Sequence, residues 1–181
     1  MAGLKNFTGA ADRPNISAPW LTIKGGHLFL CATNGHLAVA IELTEYHDQT
    51  KDQDDDFAYL PPEVFAKPKT ATLTGSRWSP EVEDVTGHTG QPPDVFAVIP
   101  KERATYPLGV GKAPIQWGAN ATYLKDIAEL FERVFKSQKM KTITFHMGDD
   151  YLSPILMTGE TPNRELIVNC VLMPVRIDRE V

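Results

Sequence analysis

The chain has 181 residues, 42% hydrophobic and 23% charged, which suits one ordinary domain or two small ones around a real core. Its net charge of −5, from 23 acidic against 18 basic residues, argues against a nucleic-acid binder that uses its whole surface, but not against one that gathers lysines on one face. No apolar run reaches the ~18 residues of a membrane span. The opening "MAGLKNFTGAADRPN" has neither the basic flank nor the apolar core of a secretory signal. Cys31 and Cys170 make no disulfide framework or zinc quartet, so a cytoplasmic protein with buried thiols is expected.

In chain order, residues 16–24, 27–34 and 36–43 read as three short strands, joined at Gly25-Gly26 and at Asn34-Gly35. Asn and Gly both tolerate positive φ, which fits Asn34-Gly35 to a hairpin turn. The acidic run "DQTKDQDDD" (48–56) reads as a solvated loop. In "FAYLPPEVFAK" (57–67) a strand leads into a short helix that Pro62 opens and Pro68 stops. Residues 70–78, 81–89 and 94–99 read as strands, and the Pro- and Gly-rich 100–114 as a linker. The strongest helix lies in 118–139. Asn120 is placed as its N-cap, and Tyr123, Ile127, Leu130, Phe131 and Val134 form a stripe at 3.6 spacing. Strands are expected again at 141–147, 151–157 and 164–177. The order strand–helix–strands occurs twice, a faint internal repeat, and hairpin-rich sheets with helices on one face make an α+β protein.

Catalytic chemistry finds little footing. His27, His36, His47, His88 and His146 are scattered, with no i,i+4 pair on a helix to start a metal site. Neither cysteine has a neighbouring base or cationic run to activate it. There is no P-loop, dinucleotide fingerprint or nucleophile elbow. A non-enzyme without metal or cofactor is expected, and a hydrolase built from gathered histidines is the contrasting reading.

Four segments, in order, resemble the bacterial sliding clamp, the beta subunit of DNA polymerase III. "RPNISAPWLTIKGGHLFLCATNGHLAV" (13–39) is similar to the clamp segment whose strand ends "ATDGHRLAV". "YLPPEVF" (59–65) has the family's strand-into-helix start. "NATYLKDIAEL" (120–130) resembles its last helix, and "VLMPVRI" (171–177) its C-terminal "VVMPMRL". The resemblance covers most of 13–181 but not a whole clamp: the first domain and parts of the others are missing. It implies a compact, phage-type clamp-like protein of repeated β-α-β-β-β units. Residues 1–12 form an N-terminal extension, 13–107 one unit with the acidic loop inside it, and 108–181 the C-terminal unit.

The resemblance also implies what the surfaces do. Clamp helices line the DNA channel, so Arg13, Lys67, Lys69, Lys125, Arg133, Lys136, Lys139 and Lys141 are expected to face duplex DNA without reading its sequence. Clamps take the short peptide of a polymerase or clamp loader in an apolar groove between the Gly-His turn and the Met-Pro strand. Carried over, that groove is Ile16, Thr33, Gly35, His36 and Leu37 with Val171, Met173, Pro174, Val175 and Arg176, and Pro107 and Val110 as weaker matches. A homo-oligomer is needed to encircle DNA. The alternative is a clamp-derived interaction module, or decoy, that binds such peptides or the clamp machinery without encircling DNA. Asn34 stands where the family has Asp, the Arg after His36 is missing, Val175 replaces Met, and the tail "DREV" extends past the usual end.

Overall fold

The computed structural model describes residues 4–52, 56–60, 90–100, 118–136, 138, 142–146 and 153–175. Their framework is a seven-stranded antiparallel sheet. The strands are β1 (Trp20–Lys24), β2 (His27–Thr33), β3 (Leu37–Leu43), β4 (Asp56–Tyr59), β5 (Thr144–His146), β6 (Ile155–Glu160) and β7 (Leu166–Leu172). Their spatial order is β4-β1-β2-β3-β7-β6-β5. Strands from the N-terminal and C-terminal parts of the chain therefore share one sheet, because β3 pairs with β7 from Leu37↔Leu172 to Leu43↔Leu166. The helix expected from Pro62, the strands at 70–78 and 81–89, and the 107/108 boundary lie outside the described residues.

Side chains alternate across a strand, so the sheet has two different faces. On one, Leu28, Leu30, Leu37, Val39, Ile41, Ile155, Met157, Val168 and Cys170 join a core with Ile127, Leu130, Phe131 and Phe135 of the helical segment. Helix α2 (Ala121–Val134; α1 is the single turn His47–Thr50) follows the predicted stripe, and Asn120 caps it by accepting from the Thr122 amide at 2.9 Å. Tyr123, Leu124 and Val134 are only partly buried. A 3-10 turn at Leu4–Phe7, inside the expected extension, completes this layer, with Leu4 and Phe7 fully buried. The helix sits close to the sheet because β6 carries Gly159: a Cβ there would lie 2.7 Å from Phe131 Cε1 and 2.9 Å from Phe135 Cε2.

The other face is smaller. Trp20, Cys31, Ala38, Ala40, Leu156 and Val171 pack with Val95, and Phe96 meets Phe29 edge-on at 4.7 Å. The strand expected at 94–99 is instead a 3-10 turn, Val95–Val98. Pro92 and Pro93 bring no N–H to a ladder, and Asp94 captures the Phe96 amide at 2.9 Å, so the local bond wins over strand pairing. The acidic loop is likewise shorter than expected. Thr44–Tyr46 and α1 continue from β3, and Thr50, buried, donates to the Gly26 carbonyl at 2.8 Å. Gly26, at φ +78, is the residue that lets Lys51 approach: its missing Cβ would fall 2.8 Å from the Lys51 carbonyl.

Candidate functional site: the Gly35-His36 turn and the Met173-Pro174 strand end

β2 and β3 run antiparallel to the pair Thr33↔Ala38, and the loop between them is closed by Asn34 N–H donating to Leu37 O at 3.1 Å. Positive φ falls on Gly35 alone, at +91, and Asn34 has a different task. Its Oδ1 accepts from both the His36 and the Leu37 amides, each at 2.9 Å. Thr33 Oγ1 donates to Leu37 O at 2.7 Å and accepts from the Gly35 amide at 3.1 Å. The turn is thus tied internally by five hydrogen bonds, and its tip, Gly35 and His36, is exposed. An Asp in the family's position would accept the same two amides. Asn34 adds a donor, and its Nδ2 reaches Asn6 O at 3.5 Å.

The C-terminal segment meets this turn directly. As β7 ends, the Met173 amide donates to His36 O at 2.9 Å, and the Val175 amide donates to Gly118 O at 2.8 Å just ahead of α2. Pinning both sides of Pro174 leaves Met173 38% and Val175 48% exposed, two of the large apolar side chains that the described residues leave in solvent. The His36 ring stacks on Tyr123 of α2, centroids 6.0 Å apart and planes at 17°. Turn, strand end and helix start therefore converge on one shelf, through the Met173 amide on His36 O, the Val175 amide on Gly118 O and the His36 ring on Tyr123. Arg13 borders it, with a guanidinium nitrogen 3.6 Å from where a Gly35 Cβ would stand.

Gly35, His36, Met173, Pro174 and Val175 are brought together by these contacts. Other expected groove residues are not on the shelf. Leu37 is buried in the helix-side core, and Val171 packs on the opposite face of the sheet with Ala38, Leu156 and Trp20. Ile16 is buried under Gly9, whose amide donates to its carbonyl at 2.7 Å. Thr33 is buried and spends its hydroxyl inside the turn. Pro107, Val110 and Arg176 lie outside the described residues. Tyr123, read from the sequence as part of the core stripe, does pack against that core, and its ring also stacks on His36 at the shelf. Its place at the first turn of α2, four residues before buried Ile127, leaves it partly open, and that position was the signal available.

The cations expected to face DNA divide similarly. Lys125, Arg133 and Lys136 are exposed on α2 and its end. Lys125 and Arg133 both lean on Glu129, at 3.8 and 3.6 Å. Asp126 accepts from Asn6 Nδ2 at 2.7 Å. Arg13 stands at the shelf rather than on the helix, and Lys67, Lys69, Lys139 and Lys141 lie outside the described residues. The arrangement suits binding more than bond-making. Burial pushes the Cys31 thiol well up, with Asp94 adding to it, and burial does the same to Cys170, so neither is a thiolate nucleophile. His27 meets Glu42 at 2.8 Å and stacks on His47 at 4.4 Å, but among the described residues no group of three or more His, Cys, Asp or Glu side chains is placed to hold a metal ion. No helix among them is long and apolar enough to cross a membrane.

No family model matches the chain, and no curated protein matches it. Solved structures do. A beta clamp from H. pylori, determined in complex with diflunisal, aligns at TM-score 0.62 and 10% identity, over 97% of this chain and 62% of that one. The DNA polymerase sliding clamp of Pseudomonas aeruginosa aligns at 0.62 and 17%, over 97% and 64%. The DNA polymerase III subunit beta from the same organism aligns at 0.61 and 16%, over 97% and 63%. The chain thus spans less than two-thirds of the clamps it matches. At such identities the likeness is one of fold, and the fold is that of a sliding clamp: an α+β protein with antiparallel strands and its long helix on one face.

Proposed function

We propose that the chain is a clamp-like processivity factor without catalysis. It holds duplex DNA without sequence preference on the helix side and takes a short polymerase or clamp-loader peptide on the shelf. The observation that carries this reading is the His36 O to Met173 N bond at 2.9 Å. It joins the end of the strand that carries exposed Met173 and Val175 to the His36 turn, which supports the reading on a fold shared with sliding clamps. An exposed thioether adapts to varied apolar side chains, and polar groups of the turn can fix orientation. Self-assembly is part of the proposal, since surrounding a duplex takes a closed ring.

The test is retention on DNA of two topologies. A ring loaded on a nicked circle stays bound through a high-salt wash and slides off once the circle is cut. An open binder is washed from both, because its attachment is only ionic. Retention on the circle and loss from the linear form is the expected result. Equal loss from both, together with a monomer by light scattering at every concentration, overturns it and leaves an interaction module that does not encircle.

A further inference from the structure

The contacts of the shelf turn also set up a covalent reaction within it. All six asparagines of the chain fall among the described residues. Asn34 alone is followed by glycine. Asn6, Asn15, Asn120, Asn163 and Asn169 precede Phe7, Ile16, Ala121, Arg164 and Cys170, whose side chains crowd the neighbouring backbone nitrogen. Asn120 is engaged as a helix cap, and Asn169 is paired on both sides within the sheet.

At Asn34 the electrophile and the nucleophile are both held. Two backbone amides, of His36 and Leu37, donate to Oδ1 at 2.9 Å each and draw charge from Cγ, as donors in an oxyanion hole do. The Gly35 N–H points at Thr33 Oγ1, 3.1 Å away, whose own proton is committed to Leu37 O, so an oxygen lone pair faces the proton that must leave. We infer that Asn34 is a self-modification site, at which the Gly35 nitrogen closes on the Asn34 side chain and converts the amide to an acid. The Gly35 nitrogen forms a bond to Cγ, the Cγ–Nδ2 bond breaks, and the displaced proton leaves with Nδ2 as ammonia. Water then opens the five-membered imide. Cleavage at Cγ yields aspartate, and cleavage at the main-chain carbonyl yields isoaspartate. No oxidant, metal or cofactor enters the balance.

The two products differ in what they do to the shelf. Aspartate keeps the main chain and both amide contacts to Oδ1, loses the Nδ2 donor to Asn6 O, and adds a negative charge to the turn that Arg13 borders. Isoaspartate inserts a methylene into the main chain of a loop closed by Asn34 N to Leu37 O at 3.1 Å, and the His36 carbonyl moves away from the Met173 amide. The reaction therefore ages the shelf by splitting its turn from its strand end. Its effect on partner binding rests on the proposed groove; the chemistry itself does not.

The experiment is incubation of the whole, folded protein in warm, mildly alkaline buffer, with peptide mapping that separates Asn, Asp and isoAsp at each position. Conversion at residue 34 ahead of the other five asparagines is expected, with ammonia released in step. Asn34→Gln, whose longer side chain closes a six-membered ring slowly, is expected to stay intact under the same conditions. In the isoaspartyl fraction the Met173 amide should exchange with solvent about tenfold faster, while Asn34→Asp leaves it unchanged. An intact Asn34 after another asparagine has converted overturns the assignment, as does unaltered Met173 exchange in isoaspartyl protein. Fresh protein that binds no peptide sinks the groove reading alone, since mapping and exchange are read without a peptide.

Discussion

Asn34 and Cys170 show how single side chains set the behaviour of this sheet. Asn34 satisfies two loop amides that would otherwise be open to water, which lets β2 and β3 end together at an exposed tip. Cys170 and Cys31 act by being sealed on opposite faces of the sheet, one under α2 and one under Trp20 and Val95. Burial holds both as neutral thiols, raised above the ordinary thiol value, whereas in the unfolded chain they ionise normally. The native state then keeps protons that the unfolded state releases once pH passes roughly 8.5. Stability contributed by the neutral thiols is complete below that pH and falls above it, by up to ~1.4 kcal/mol per pH unit for each cysteine. Urea midpoints between neutral and strongly alkaline pH should show the decline, and the Cys31→Ala, Cys170→Ala double variant should flatten it. A slope the same in both proteins would assign it to other groups, such as Tyr46 and Tyr59, which burial also raises.

At the level of elements, the packing of α2 on β6 rests on an absent side chain. Gly159→Ala would put a methyl within 3 Å of two aromatic rings that have no free space to retreat into. The expected cost is about 1–3 kcal/mol, read as a lower urea midpoint at unchanged slope. A neutral outcome would mean that α2 slides easily on the sheet, against its closely seated core. None of this was legible from the sequence, where the expected strand stops at 157. What was legible follows from local patterning: the apolar stripe of α2, the Asn120 cap, and the three strands ending in a Gly-containing hairpin. Local patterning also misled where a nearby polar group competed with the ladder. "DVFAVI" has strand composition, yet Asp94 turns it into a 3-10 segment. Asn34-Gly35 does form the expected hairpin turn, with the positive φ on Gly35. The candidate site was half legible. The resemblance to clamps, not the residue types, put Gly35, His36, Met173, Pro174 and Val175 together, and a spacing of two in a strand cannot say which face is open, so Leu37 and Val171 went to different cores.

For the molecule as a whole, the open balance is between a net charge of −5 and the DNA-facing role proposed for the helix side. On α2 and its end, Lys125, Arg133 and Lys136 are matched by Asp126, Glu129 and Glu132. Glu129 is the pivot, since Lys125 and Arg133 reach it at 3.8 and 3.6 Å and neither cation is wholly free for a phosphate. Such exposed pairs stabilise a helix by only ~0.2–0.5 kcal/mol each, so removing the carboxylate costs the fold little. Glu129→Gln releases both cations and removes a charge that repels the backbone of a duplex. Affinity for short linear DNA at low salt should rise, and the slope of log K against log salt should steepen by about 0.9 for each phosphate newly engaged. Circular-dichroism melting checks that the helix is intact. If affinity and slope stay at the parent values while the helix is folded, α2 does not face the duplex, and DNA contact would have to come from cations outside it. If both rise, the acidic pivot is what keeps DNA contact loose, as a ring that must slide along the duplex requires.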